Sequence, residues 1–210
     1  MSGTDATVYL VDDDPQVLRA LARLLRSAGH ATRGFPTARG FLDAVDADAV
    51  GCLVLDLSLP GLDGLGLQRL MSERGYGLGI VFLTGNGDVP SSVRALKHGA
   101  VDFLTKPVEA AGLLAAVGAA LQRSQALHSQ REERSGLERL LGTLTPRERE
   151  VLPYAISGLL NKQIAHALGT VEKTIKVHRS RLMRKLGARS VAELARLAEH
   201  AGIEPAPRSR

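Results

Sequence analysis

Residues 52–56, Cys-Leu-Val-Leu-Asp, are four apolar residues closed by a carboxylate. An unbroken apolar run of this length suits a strand covered on both faces, as in a parallel sheet between layers of helices. The plan recurs on either side. Val8–Val11 runs into Asp12-Asp13-Asp14, Ile80–Leu83 into Thr84, and Val101–Leu104 into Thr105-Lys106-Pro107. A further strand is expected over Ala31–Phe35. Helical patterns fill the gaps. Pro15 opens one, with Val17, Leu18, Leu21, Leu24 and Leu25 at helical spacing before Gly29. Others are expected over Thr37–Val45, Leu65–Glu73 and Pro90–His98, and from Val108 past Leu121. Five strand and helix repeats specify a doubly wound parallel sheet.

In such a sheet the carboxyl ends of the strands line one crevice, where ligands sit. The crevice here collects Asp12, Asp13, Asp56, Thr84 and Lys106. Several acids in one crevice repel each other unless a cation joins them, and oxygen ligands suit magnesium. A lysine and a hydroxyl beside them favour a transferred phosphoryl group.

The 210 residues are rich in aliphatics and poor in aromatics. No apolar run reaches the roughly 18 residues of a membrane span, and the N-terminus lacks a signal-peptide pattern. The lone Cys52 excludes an internal disulfide and reads as a buried structural thiol. A cytoplasmic location is expected. Net charge divides unevenly, −2 over residues 1–124 and +7 over 125–210. An acidic-site domain followed by a polyanion binder is the expected pairing.

The second half is all helix. Thr145-Pro146-Arg147-Glu148 is a helix start, with a hydroxyl cap, Pro at the first position and an acid at the third. Helices are expected up to Gly158, over Asn161–Leu168, from Glu172 to Leu186, and over Val191–Ala201. The short turn at Gly169 gives a helix-turn-helix layout. Pro153 should kink the first of these helices. Residues 123–141 are polar and charged and read as a linker. It is expected to begin as a helical extension and loosen near Ser135-Gly136.

These residues carry a resemblance. Residues 1–122 resemble the receiver domain of a two-component response regulator, with Asp12, Asp13, Asp56, Thr84 and Lys106-Pro107 in the matching elements. The resemblance implies a flavodoxin-like sheet. Residues 142–205 resemble a LuxR-type four-helix output domain, on Leu144-Thr145-Pro146-Arg147-Glu148, Gly158, Asn161-Lys162, Thr174-Ile175-Lys176-Val177-His178 and Lys185-Leu186-Gly187. The run from Gly85 to Pro90 is like the FixJ branch of the FixJ/NarL type.

The resemblance implies a role for each matching residue. Asp56 is the phosphoacceptor. Asp13, Asp56 and the Ser58 carbonyl hold Mg2+, with Asp12 as the second acid. Lys106 and Thr84 stabilise the phosphoryl group, and Phe103 is the switch aromatic. The Lys106-Pro107 bond is expected to be cis. Lys176, Val177 and Ser180, with Lys173 projecting beside them, face DNA bases. Asn161, Lys162, Thr174, His178, Arg179, Arg181 and Lys185 contact phosphates. His178 has an equally good reading as a partly buried packing residue. The implied partners are a sensor histidine kinase, double-stranded DNA and a second copy of the chain, docked through the Pro90–Leu121 surface. The chain is then a transcription regulator and no enzyme beyond its own phosphoryl transfer. Val171 stands where the family usually has a capping Ser, a loss unless Thr170 serves.

Three other readings have discriminating features. A phosphatase of aspartyl-phosphate chemistry would need a second acid near Asp56, where Leu57 and Ser58 stand. A receiver acting without phosphorylation would keep DNA binding in Asp56→Ala. A small-molecule sensor would need the receiver's place for its ligand domain.

Overall fold

The structure is a computed structural model and describes residues 6–85 and 96–207. It divides into two compact units, Met1–Ser129 and Gln130–Arg210. The helix expected over Pro90–His98 falls largely on residues 86–95, outside the described residues.

Unit one holds five strands: β1 (Thr7–Val11), β2 (Ala31–Phe35), β3 (Gly51–Asp56), β4 (Gly79–Thr84) and β5 (Asp102–Thr105). All pair in parallel in the order β2-β1-β3-β4-β5. Its helices are α1 (Pro15–Ser27), α2 (Ala38–Ala44), α3 (Gly64–Glu73) and the first part of α4 (Ala110–Gly142), whose remainder belongs to unit two. The period-two alternation of each strand sorts the core into two layers. Tyr9, Val11, Leu53, Leu55, Ile80 and Phe82 point one way, onto Phe41 of α2 and Leu67 and Met71 of α3. Val8, Leu10, Cys52, Val54, Val81 and Leu83 point the other way, onto Leu21 and Leu25 of α1 and Leu113 and Val117 of α4. Each large side chain buried in this way contributes about 1.5–3 kcal/mol. Burial also raises the Cys52 thiol pKa, as its structural role requires.

Short polar side chains start the helices. Asp14 accepts the Gln16 N–H at 2.7 Å ahead of Pro15, and Asp63 accepts the Gly66 N–H at 2.6 Å. α4 runs unbroken to Gly142. The loosening expected near Ser135-Gly136 does not occur. Gly136 keeps helical geometry between an Arg134–Glu138 pair at 3.0 Å and the buried Leu137. Glycine there costs helix stability without ending the helix.

Unit two adds α5 (Pro146–Ile156), α6 (Asn161–Ala167), α7 (Glu172–Lys185) and α8 (Val191–His200). One core group joins Leu144, Leu152, Ala155, Leu182, Leu186 and Leu194, and a second joins Val151, Ile164, Ala165 and Ile175. α5 continues through Pro153. The Pro153 carbonyl accepts the Ser157 N–H and hydroxyl and the Ala206 N–H, at 3.3, 2.8 and 3.0 Å, which ties the last described residues to this helix.

Candidate functional site

The strand register brings the polar ends together. Val11 pairs with Leu55, Asp56 with Leu83, and Thr84 with Thr105. The next residues therefore emerge side by side at the carboxyl edge, across the β1/β3 point where the strand order reverses. Asp12, Asp56 and Thr84 are 2%, 5% and 2% exposed. Lys106 reaches in from the end of β5. Its Nζ lies 2.6 Å from Asp12 Oδ2 and 2.7 Å from Asp56 Oδ1. Burial alone would depress this ammonium's pKa, but the hydrogen bonds and charges of Asp12 and Asp56 prevail and raise it. Lys106 therefore stays charged between the two acids.

The remaining carboxylate oxygens are also held. Asp12 Oδ1 accepts the Asp14 N–H at 2.9 Å, and Asp56 Oδ2 accepts the Ser58 N–H at 3.0 Å. The backbone locks the frame: Leu57 N–H donates to Leu83 O at 2.9 Å and Lys106 N–H to Thr84 O at 2.7 Å. The Lys106-Pro107 bond is cis. Asp13 and Ser58 are exposed. Phe103 is half-buried and tilts against Phe82, with ring centroids 6.3 Å apart. Among the described residues no three acids or histidines converge into a ready-made metal cluster, because Lys106 draws Asp12 and Asp56 onto itself while Asp13 stays exposed. Two buried carboxylates against one ammonium still leave an excess negative charge.

Sequence reasoning missed Gly64, the first residue of α3. A Cβ there would lie 2.6 Å from the Asp56 carbonyl oxygen and 3.1 Å from Leu57 Cα. Its N–H donates to Leu57 O at 3.0 Å. The absence of a side chain lets α3 start directly against the Asp56 loop. The sequence signal was a glycine inside a run that also holds Gly61 and Gly66.

In unit two, α6 and α7 flank a turn at Gly169, whose φ of 61° suits glycine. Lys162, Lys173, Lys176, Val177, Ser180 and Arg181 are exposed, as base or phosphate contacts require. Lys173, Lys176, Val177 and Ser180 share one side of α7 by helical phase. Other expected contacts are engaged internally. Arg179 donates to Asn161 Oδ1 at 3.1 Å and Leu159 O at 3.4 Å. His178 is half-buried, and its Nδ1 is enclosed without a hydrogen-bond partner among the described residues, so it packs inward. Thr174 is half-buried beside the small cavity of about 110 Å³ that His178 also lines.

Lys185 is also engaged internally. Its ammonium lies 2.6 Å from Glu148 Oε2 and 2.9 Å from Thr143 O, so it closes the unit's own frame. Glu148 is 2% exposed and completes a capping box with Thr145. The Lys185 bond, aided by the Thr145 N–H and hydroxyl, prevails over burial and holds the Glu148 pKa down to about 2.

Both units match known families. The response regulator receiver domain family matches residues 8–118, and the bacterial regulatory proteins of the luxR family match residues 142–198. Nodulation protein W of Bradyrhizobium diazoefficiens is 43% identical over 96% of this chain and 89% of its own length. The transcriptional regulatory protein FixJ of Azorhizobium caulinodans is 42% identical over 95% of this chain and 94% of its own. Among solved structures, the response regulator StyR superposes with a TM-score of 0.87 at 45% identity, covering 93% of this chain and 99% of StyR. The receiver sheet, its carboxylate–lysine crevice and the helix-turn-helix unit thus place the chain in the family of transcriptional response regulators of two-component systems, a receiver domain followed by a LuxR-type DNA-binding domain.

Proposed function

We propose that Asp56 is the residue phosphorylated by a sensor histidine kinase, and that its phosphorylation controls dimerisation and sequence-specific DNA binding. The observation that carries this reading is the Lys106 ammonium set between the buried carboxylates of Asp12 and Asp56. An Asp56 oxygen attacks the phosphorus of a phosphohistidine, the P–N bond breaks, and an acyl phosphate forms. Lys106 exchanges its bond to Asp56 for one to a phosphoryl oxygen, and the Thr84 hydroxyl donates to another.

The donor set fits a hard divalent cation. It is all oxygen, and the buried excess negative charge asks for more cation than Lys106 supplies. Asp12, Asp13, Asp56 and the Ser58 carbonyl would hold Mg2+. Such an ion offsets charge on the phosphoryl oxygens. Movement of Thr84 toward the phosphate opens room for Phe103 to turn inward, which biases the Pro90–Leu121 surface toward a second copy. Two output units then bind two DNA half-sites, and pairing raises their effective affinity. Lys176, Val177 and Ser180 take the bases, with Lys173 projecting beside them and Lys162 and Arg181 on phosphates.

The test is molar mass by light scattering with magnesium and acetyl phosphate. Wild type doubles its mass and Asp56→Ala stays monomeric. Unchanged mass in wild type, with phosphate confirmed on Asp56, rejects dimerisation off DNA.

A further inference from the structure

The buried polar side chains described in unit one are Asp12, Asp56, Thr84, Gln68 and Ser124. The first three belong to the crevice, and Gln68 donates to the His98 carbonyl at 3.2 Å. Ser124 lies on α4 and is 1% exposed. Its hydroxyl oxygen accepts the Gly51 N–H at 3.0 Å. β3 pairs with β4 from Cys52 onward, so on that side Gly51 stands just before the ladder, where a buried N–H needs another acceptor. One turn earlier on α4, Ala120 packs against the first residue of β4. A Cβ on Gly79 would lie 2.7 Å from the Ala120 Cα. The two strands that carry Asp56 and Thr84 at their carboxyl ends thus both meet α4 at their amino ends.

Ser124 is also the last buried residue of α4 before Leu137. The helix runs on unbroken, and none of residues 125–136 is buried. At 1.5 Å per residue this segment is about 18 Å long, and a tilt of about 10° at its start shifts its far end by about 3 Å. A bond at the point of departure restrains that tilt. We infer that Ser124 is a positioning residue for DNA recognition: its bond to Gly51 fixes the direction in which α4 leaves the sheet, and through it the half-site spacing that a phosphorylated pair accepts. The inference rests on the reading of the chain as a DNA binder paired by phosphorylation. Pairing raises affinity only where geometry lets both output units engage. A loosened departure therefore lowers the gain and blurs the spacing.

The test uses a duplex that the phosphorylated full-length protein selects from a random-sequence library, and the same duplex with two base pairs inserted between its half-sites. The insertion turns one half-site by about 70° relative to the other. Anisotropy titrations compare phosphorylated wild type, Ser124→Ala and Gln125→Ala, an exposed neighbour on α4. The insertion should weaken wild type and Q125A at least about tenfold, and S124A less than about threefold. On the original duplex S124A should bind about three- to tenfold more weakly than wild type. Acetyl phosphate labelling of Asp56 at the wild-type rate shows that unit one of the variant is folded. If S124A does not label, Ser124→Cys takes its place, since it keeps the side chain's size and its sulfur is a weak acceptor. The same insertion penalty in wild type and in the labelled Ser124 variant overturns the inference and leaves the DNA-binding reading intact. If wild type is indifferent to the insertion, or no duplex is selected, the reading of paired DNA binding falls and the inference with it.

Discussion

Lys106 sets the character of the receiver site. Without its ammonium, Asp12 and Asp56 become two buried like charges, and removing one member of such a cluster is strongly destabilising. Lys106→Met should therefore lower the melting temperature of unit one by several degrees. Magnesium should restore more of it than it adds to wild type; a melt indifferent to the substitution would show that the pairing carries no weight. Gly64→Ala tests the close approach of α3. Its Cβ would meet the Asp56 carbonyl at 2.6 Å, so the loop must shift. The expected outcome is a loss of about 1–3 kcal/mol together with slower acetyl phosphate labelling. Unchanged labelling would mean that the loop yields without disturbing Asp56. Asp12, Asp56, Thr84 and Lys106 were legible because each follows an apolar run of strand length, and a parallel sheet collects such ends. Gly64 was not, because its role is a distance between a helix start and a loop. The internal bond of Lys185 was hidden for a related reason. Local sequence does not set it apart from the other basic residues of α7, while its partner Glu148 lies 37 residues away.

Among the elements, helix starts account for much of what the sequence foretold and some of what it did not. The Thr145–Glu148 capping box was visible as a pattern. Its junction with Lys185 makes it an acid-sensitive clasp on α5 and α7. Glu148 has a folded pKa of about 2 against an ordinary 4.5. A depressed carboxylate contributes stability that is complete above the unfolded value and lost as pH falls through the folded one. The stability difference between wild type and Glu148→Gln should therefore be largest above about pH 4.5 and shrink toward pH 2, in thermal melts across that range. A constant difference would assign the effect to shape alone. α4 was half legible. Its amphipathic first part was clear, but Gly136 looked like a break, since nothing local reveals that Leu137 is buried. Gly136→Ala should stabilise unit two by about 0.5–1 kcal/mol, since a Cβ there meets nothing closer than the Arg139 guanidinium at 4.0 Å. Destabilisation would mark the glycine as a hinge. At the start of α7, Val171→Ser should add about 1 kcal/mol to unit two, a gain the natural residue forgoes.

For the whole molecule, division of labour follows the charge. The unit bearing the carboxylate crevice belongs to the slightly acidic half, and the unit bearing the helix-turn-helix belongs to the half with a charge of +7. That division, the parallel sheet and the four output helices were all readable from residue patterns, because each unit is built from short local repeats. The fate of individual basic residues was not, because surface lysines and arginines choose between solvent, DNA and internal acceptors only once the helices pack. Control of α7 by chemistry at Asp56 is decided by anisotropy titration of one duplex with wild type and Asp56→Ala, each with magnesium, with and without acetyl phosphate. Phosphodonor should tighten wild-type binding at least about tenfold, the gain expected from pairing two modest binders, and leave Asp56→Ala unchanged. Equal affinity in all four titrations, with Asp56 phosphorylation confirmed in the treated wild type, would contradict that control.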